Sequence, residues 1–306
     1  MFYADAHCDT LYSLAVEHKP AHTLDITVER LKKMGAYLQT FAMFVGSGGP
    51  AGEPYQHVAD ALSRSYTLGI PIYRGAMPDM PPTDARGVLA IEGGEALEGS
   101  LERFEEFAHE GVRMITLTWN FENEIATAAA VSPEGGIKEF GKRLIGRMNE
   151  RGVLCDVSHL NEAGFWDVMD LTALPPVASH SCVRELCNHR RNLWRDQVRA
   201  IIDRQGFIGV NFYPHFLLEG NPANVSVQNV IEHIDELVQM GAIDSVGLGS
   251  DFDGIESWPE GLGNPADFPR LLDVLRGRDY SEAAIADIAG LNYWNLLRRS
   301  KSHINK

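Results

Sequence analysis

The sequence predicts an α/β fold, a closed (β/α)8 TIM barrel of the metal-dependent hydrolase type. Three observations predict it. Eight short, nearly all-apolar runs alternate with amphipathic stretches, glycines stand at several helix-to-strand junctions, and polar residues cluster where the apolar runs end. Strands apolar on both faces belong to a parallel sheet covered on both sides. Eight strand–helix units in about 250 residues suit a closed barrel better than an open sheet. No Pro- or Ser-rich linker divides the 306 residues, so 1–306 is read as one domain.

In order, the predicted strands are 2–6, 36–41, 87–91, 112–117, 153–157, 176–179, 207–212 and 242–248. Gly35, Gly111, Gly152, Gly206 and Gly241 precede five of them. Each is expected to take the left-handed conformation that ends a helix. Ile137, Phe140, Leu144 and Met148 recur at helical spacing, as do Val230, Ile234 and Leu237. Loops rich in Gly and Pro at 45–54 and 252–265 follow predicted strands, which in a barrel puts them at the catalytic mouth.

Composition narrows the partners. Lys plus Arg number 27 against 42 Asp plus Glu, a net charge of −15. The pI of about 5.1 speaks against nucleic acid or an anionic membrane. Mean hydropathy is −0.16, and no apolar run approaches the ~18 residues of a membrane span. The start has no basic region or small-residue cleavage site of a secretory signal, so the cytosol is the expected location. Cys8, Cys155, Cys182 and Cys187 form no CxxC pair and are read as buried thiols.

What ends each strand carries the chemistry. The first strand runs into His7-Cys8-Asp9, whose two outer residues project to one side. The third ends at Glu92-Gly93-Gly94, the fifth at Ser158-His159, the sixth at Ser179-His180-Ser181 and the eighth at Ser250-Asp251-Phe252-Asp253-Gly254. Singly, each could be a structural His, a helix N-cap or a loop residue. Together they place three His and three acidic residues on the rim where barrel enzymes assemble their sites. Neutral imidazoles and carboxylates suit Zn²⁺, and the set exceeds what one ion needs. A two-ion site bridged by one carboxylate, with ions ~3.5–4 Å apart, accounts for it. Two decoys are set aside. Residues 136–142 have phosphate-loop spacing, but Arg143 stands where Ser or Thr is required. Residues 251–254 hold too few oxygen ligands for calcium.

These motifs, with Arg190-Arg191-Asn192 and Asn211-Phe212-Tyr213, resemble the membrane (renal) dipeptidases of the metal-dependent amidohydrolase superfamily. The resemblance covers almost the whole chain. It implies that His7 and Asp9 hold one zinc, that His159 and His180 hold the other, and that Glu92 bridges them. Asp251 would take the proton of the bridging water and pass it to the leaving amine. The residues alone leave Arg190 and Arg191 open; the resemblance selects Arg191 for the substrate's C-terminal carboxylate, and it places Tyr213 at the substrate. One departure stands out. Relatives such as the mammalian enzyme carry His after the Thr-Leu-Thr of strand four, where it contacts the substrate carbonyl, whereas this chain reads Thr116-Leu117-Thr118-Trp119-Asn120. Trp119, Asn120 or Asn123 could donate in its place, and a packing role for Trp119 is at least as well supported. The expected activity is hydrolysis of dipeptides with a free C-terminal carboxylate and tolerance of a D-residue there. Alternatives are a related hydrolase of another amide or lactone and a catalytically impaired metal-bound scaffold. Relatives form homodimers, though no interface signal stands in this sequence.

Overall fold

A computed structural model describes residues 1–48 and 50–300; Gly49, in the glycine-rich loop at 45–54, and 301–306 of the expected domain lie outside the described residues. Eight parallel strands close into a barrel in sequence order. They are β1 (Tyr3–Asp5), β2 (Tyr37–Phe44), β3 (Ala85–Glu92), β4 (Val112–Thr116), β5 (Leu154–Asp156), β6 (Val177–Ala178), β7 (Phe207–Val210) and β8 (Val246–Leu248). Closure is made where Asp5 of β1 pairs with Leu248 of β8. All eight predicted strands are present, as the TIM-barrel expectation requires.

Alternation along the strands divides the core in two. Ala4, Leu38, Val88, Ala90, Met114, Leu154, Val177 and Phe207 pack together with Tyr293, Trp294 and Leu297 of the helix Asn292–Arg299. That helix closes the floor of the barrel. The other faces of the strands pack against the surrounding helices in a larger cluster that includes Phe41, Leu89, Ile115, Phe104, Leu144 and Leu237.

Three details depart from the expectation. Residues 242–245 form a turn, so the eighth strand starts only at Val246. Ile137 precedes the helix Glu139–Arg151 and forms an isolated bridge with Ala126. At the Gly206 junction the left-handed residue is Gln205, with φ 54°. Gly206 is needed for another reason, since a Cβ there would stand 2.3 Å from the carbonyl oxygen of Pro176. The four other junction glycines have φ between 71° and 101°.

Candidate metal centre

Six side chains from the C-terminal ends of β1, β3, β5, β6 and β8 converge in one buried space. His7 Nε2 lies 3.5 Å from Asp9 Oδ2, 3.5 Å from Glu92 Oε2 and 3.7 Å from Asp251 Oδ1. On the other side of the same carboxylate, Glu92 Oε1 lies 3.1 Å from His159 Nε2 and 3.5 Å from His180 Nε2. Those two ring nitrogens are 3.1 Å apart. Glu92 therefore turns one oxygen to each of two ligand groups. The sequence-predicted set is brought together in full.

The donor set fits divalent cations. Both ring nitrogens of His7 and Oδ1 of Asp9 are buried without a hydrogen-bond partner among the described residues. Such groups are costly to bury unless something satisfies them. Asp9 stands at the N-cap of the helix Thr10–Ala15, yet its carboxylate caps nothing. Burial, and next the Glu92 carboxylate, pushes the Asp9 carboxyl up. Burial likewise raises Asp251 and lowers the His159 imidazole to about 4. Carboxylates crowded against three imidazoles, of which burial keeps His159 and His180 neutral while the Glu92 and Asp9 carboxylates raise His7, are a site suited to a metal cation.

A second layer fixes the rings. Ser179 Oγ donates to Asp156 Oδ2 at 2.5 Å, so its oxygen accepts from His180 Nδ1–H at 2.7 Å. That tautomer leaves the lone pair of Nε2 facing Glu92. Asp156 also accepts from Thr116 Oγ1 at 2.7 Å and from the backbone N–H groups of Ser158 and Ser179, each at 3.0 Å. Asp5 does the same beside His7, accepting from Ser250 N–H at 2.9 Å and Ser250 Oγ at 2.5 Å. Sequence reasoning gave these two aspartates no role. The available signal was a carboxylate as the last residue of an otherwise apolar strand, shortly before a His.

Local backbone is shaped for the site. His159 and Asp251 have φ of 67° and 64°, left-handed values that cost non-glycine residues energy and cluster at functional sites. The loop carrying His180 enters the barrel mouth because Gly209 and Gly249 lack side chains. A Cβ on either would stand 2.1 or 1.9 Å from the Ser179 carbonyl oxygen.

Above the cluster opens a cleft of about 480 Å³, in the usual range of small-molecule sites. Arg191 lines it, is only 6% exposed and keeps Nε unpartnered, while Arg190 is exposed. Trp119 packs among Phe44, Phe121 and His159, with ring centroids 5.0, 5.6 and 6.2 Å away. Asn120 Oδ1 faces His159 Nδ1 at 3.1 Å. Tyr213 donates its hydroxyl to Glu256 Oε1 at 2.6 Å on the rim. Asn123 is occupied by its own loop, giving Nδ2–H to Leu117 O at 2.9 Å and accepting from Ile125 and Ala126.

Residues 1–305 match the family described as Membrane dipeptidase (Peptidase family M19). The chain belongs to the membrane dipeptidase family. The membrane dipeptidases are metallopeptidases, and this member is an enzyme of that class. An uncharacterized protein of the pqqA 5′ region of Klebsiella pneumoniae is 36% identical over 219 residues, covering 69% of this chain and 80% of that protein. An uncharacterized dipeptidase of Schizosaccharomyces pombe is 31% identical over 218 residues, or 70% of this chain and 52% of that protein. The match thus spans about half the yeast dipeptidase. The solved structure of dipeptidase AC, a metallopeptidase of family M19, superposes with a TM-score of 0.87 at 25% identity, covering 99% of both chains. A metallopeptidase from Rhodobacter sphaeroides, liganded with a phosphinate mimic of L-Ala-D-Ala, has the same fold, with a TM-score of 0.87 at 24% identity over 98% of this chain and 99% of that one. Among the described residues, no helix of this chain is long and apolar enough to cross a membrane.

Proposed function

We propose that the chain is a binuclear zinc dipeptidase that cleaves dipeptides with a free C-terminal carboxylate and accepts a D-residue at that end. One observation carries the reading: the two oxygens of Glu92 face two different ligand groups, as a bridging carboxylate must. His7 and Asp9 would hold one zinc, and His159 and His180 the other. Bound zinc supplies Lewis acidity and makes water acidic enough to lose a proton near neutrality.

The protein's own residues do the rest. Asp251 accepts from Asn211 Nδ2–H through Oδ2 at 2.9 Å, which leaves Oδ1 directed at the cluster, free to take a proton and return it to the leaving amine. Arg191 has nitrogen donors to spare in a buried setting, where a carboxylate partner gains most. Tyr213 and Trp119 would shape the walls around the bound dipeptide.

The test is zinc content together with amino-acid release from a dipeptide panel. The panel carries both stereochemistries at the C-terminal residue, L-Ala-D-Ala among them because a protein of this fold was solved with its mimic. Two zincs per chain and cleavage of free acids far faster than C-terminal amides are expected. Arg191→Met should erase that preference by slowing the acids. One zinc per chain, unchanged in Glu92→Ala, would remove the bridged site. Equal rates on acid and amide would remove the role of Arg191. Activity confined to other amides or lactones would point to the related-hydrolase alternative.

A further inference from the structure

Asn120 has two hydrogen-bonding ends, and the metal centre decides which way they point. His159 Nε2 lies 3.1 Å from Glu92 Oε1 and 3.1 Å from His180 Nε2, the position of a ligand atom. For that nitrogen to keep its lone pair, the ring proton must sit on Nδ1. Nδ1–H then donates to Asn120 at 3.1 Å, so the amide oxygen is the atom facing the ring. The amide NH₂ is thereby turned away from His159. Asn120 lines the cleft with Glu92, Arg191 and Asp251, and its NH₂ makes no hydrogen bond to a described residue. The other candidate donors on the same loop are less suited. Trp119 is packed among three rings, and Asn123 is bonded within its loop.

We propose that Asn120 donates a hydrogen bond to the scissile carbonyl oxygen of the substrate, held in that orientation by His159. The assignment rests on the dipeptidase reading and deepens it. As water oxygen bonds to the carbonyl carbon, the π electrons move onto the carbonyl oxygen, and the amide N–H meets the growing charge. When the C–N bond breaks, the electrons return to the carbonyl and the amine leaves with the proton carried by Asp251. One side chain thus orients a metal ligand and serves the reacting oxygen.

Two variants separate these tasks. Asn120→Asp keeps an acceptor for His159 but removes the donor. Asn120→Ala removes both. Zinc affinity should stay within a few-fold of wild type in Asn120→Asp and fall about 10- to 100-fold in Asn120→Ala, the usual effect of losing a ligand's outer partner. In zinc-loaded protein, long-range ¹H–¹⁵N spectra should show the His159 proton on Nδ1 in wild type. At saturating zinc both variants should lose about 10²- to 10³-fold in kcat with little change in KM. A phosphinate dipeptide mimic should bind more weakly by a factor similar to the loss in kcat/KM. Wild-type kcat in zinc-saturated Asn120→Ala would overturn the donor role and leave only ring positioning. A proton on Nε2, or unchanged zinc affinity in Asn120→Ala, would overturn the orientation argument. If wild type cleaves no dipeptide, the functional reading fails, and zinc and phosphinate binding still decide the assignment of Asn120.

Discussion

The proposed function assigns proton transfer to Asp251, and its surroundings allow that role to be separated from metal binding. It is tethered by Asn211 and lies 3.7 Å from His7. Asp251→Asn should retain metal and lose about 10²–10⁴-fold in turnover, the usual worth of general acid–base catalysis. Near-normal turnover with full metal content would refute it. Trp119 carries the opposite expectation. Its three ring contacts make it part of the pocket wall, so Trp119→Phe should keep almost full activity while Trp119→Ala mainly weakens substrate binding. A large kcat loss in the Phe variant, with zinc intact, would make its indole N–H the donor instead of Asn120. The convergence of the six ligand-type residues was readable because each ends a strand of a barrel. The roles of Asp5 and Asp156 were not. Nothing in spacing distinguishes a strand-end carboxylate that meets a metal from one that accepts from a serine. The residues alone leave Arg190 and Arg191 open and the family resemblance selects Arg191; that it is the buried one of the two is visible only in the structure.

Every strand is found where its apolar run lies, with edges moved by a few residues. The register, by contrast, depends on contacts that no single segment contains. The pairing shift between Leu89 and Ala90 against β4 is of that kind. Arg113, next to that irregularity, is only 2% exposed, and none of its three guanidinium nitrogens has a partner among the described residues. Burial lowers its pKa to about 10. A buried charge without acceptors costs more than an apolar side chain of similar volume. Arg113→Met should therefore raise the melting temperature by a few degrees without changing kcat, the shift expected for ~1 kcal/mol in a chain of this size. A fall in Tm would show that the guanidinium has an acceptor.

For the whole molecule, acid stability is tied to His233 on the helix Val227–Gln239. Its Nδ1 accepts from the Val183 N–H, and its Nε2–H donates to Leu217 O, both at 3.0 Å. The ring thus joins the loop after β6 to the segment after β7. Burial lowers its pKa from the usual 6.5 to about 4. The folded protein then stays neutral at this ring while the unfolded chain takes up a proton. Its contribution is full above pH ~6.5, declines by ~1.4 kcal/mol per unit towards pH 4 and levels off below. Urea unfolding at pH 7, 5.5 and 4.5 should give a flatter acid limb for His233→Gln than for wild type, even if that variant is less stable at pH 7. Parallel limbs would exclude His233 as a source of acid lability.

The helix at Asn292–Arg299 has a consequence in time as well as in space. Tyr293, Trp294 and Leu297 fill the bottom of the barrel, Tyr293 Oη lies 2.7 Å from Thr40 Oγ1, and Asn292 Nδ2–H bonds the carbonyls of Ile243 and Val246 at 2.7 and 2.8 Å. A ribosome delivers all eight strands before it delivers this stopper. A nascent chain with its whole sheet outside the exit tunnel therefore still has an open lower end, with Ala4, Leu38, Val88 and Phe207 accessible to water. The floor can be sealed only after synthesis has passed Asn292–Arg299, so its closure follows translation of the site and does not precede it.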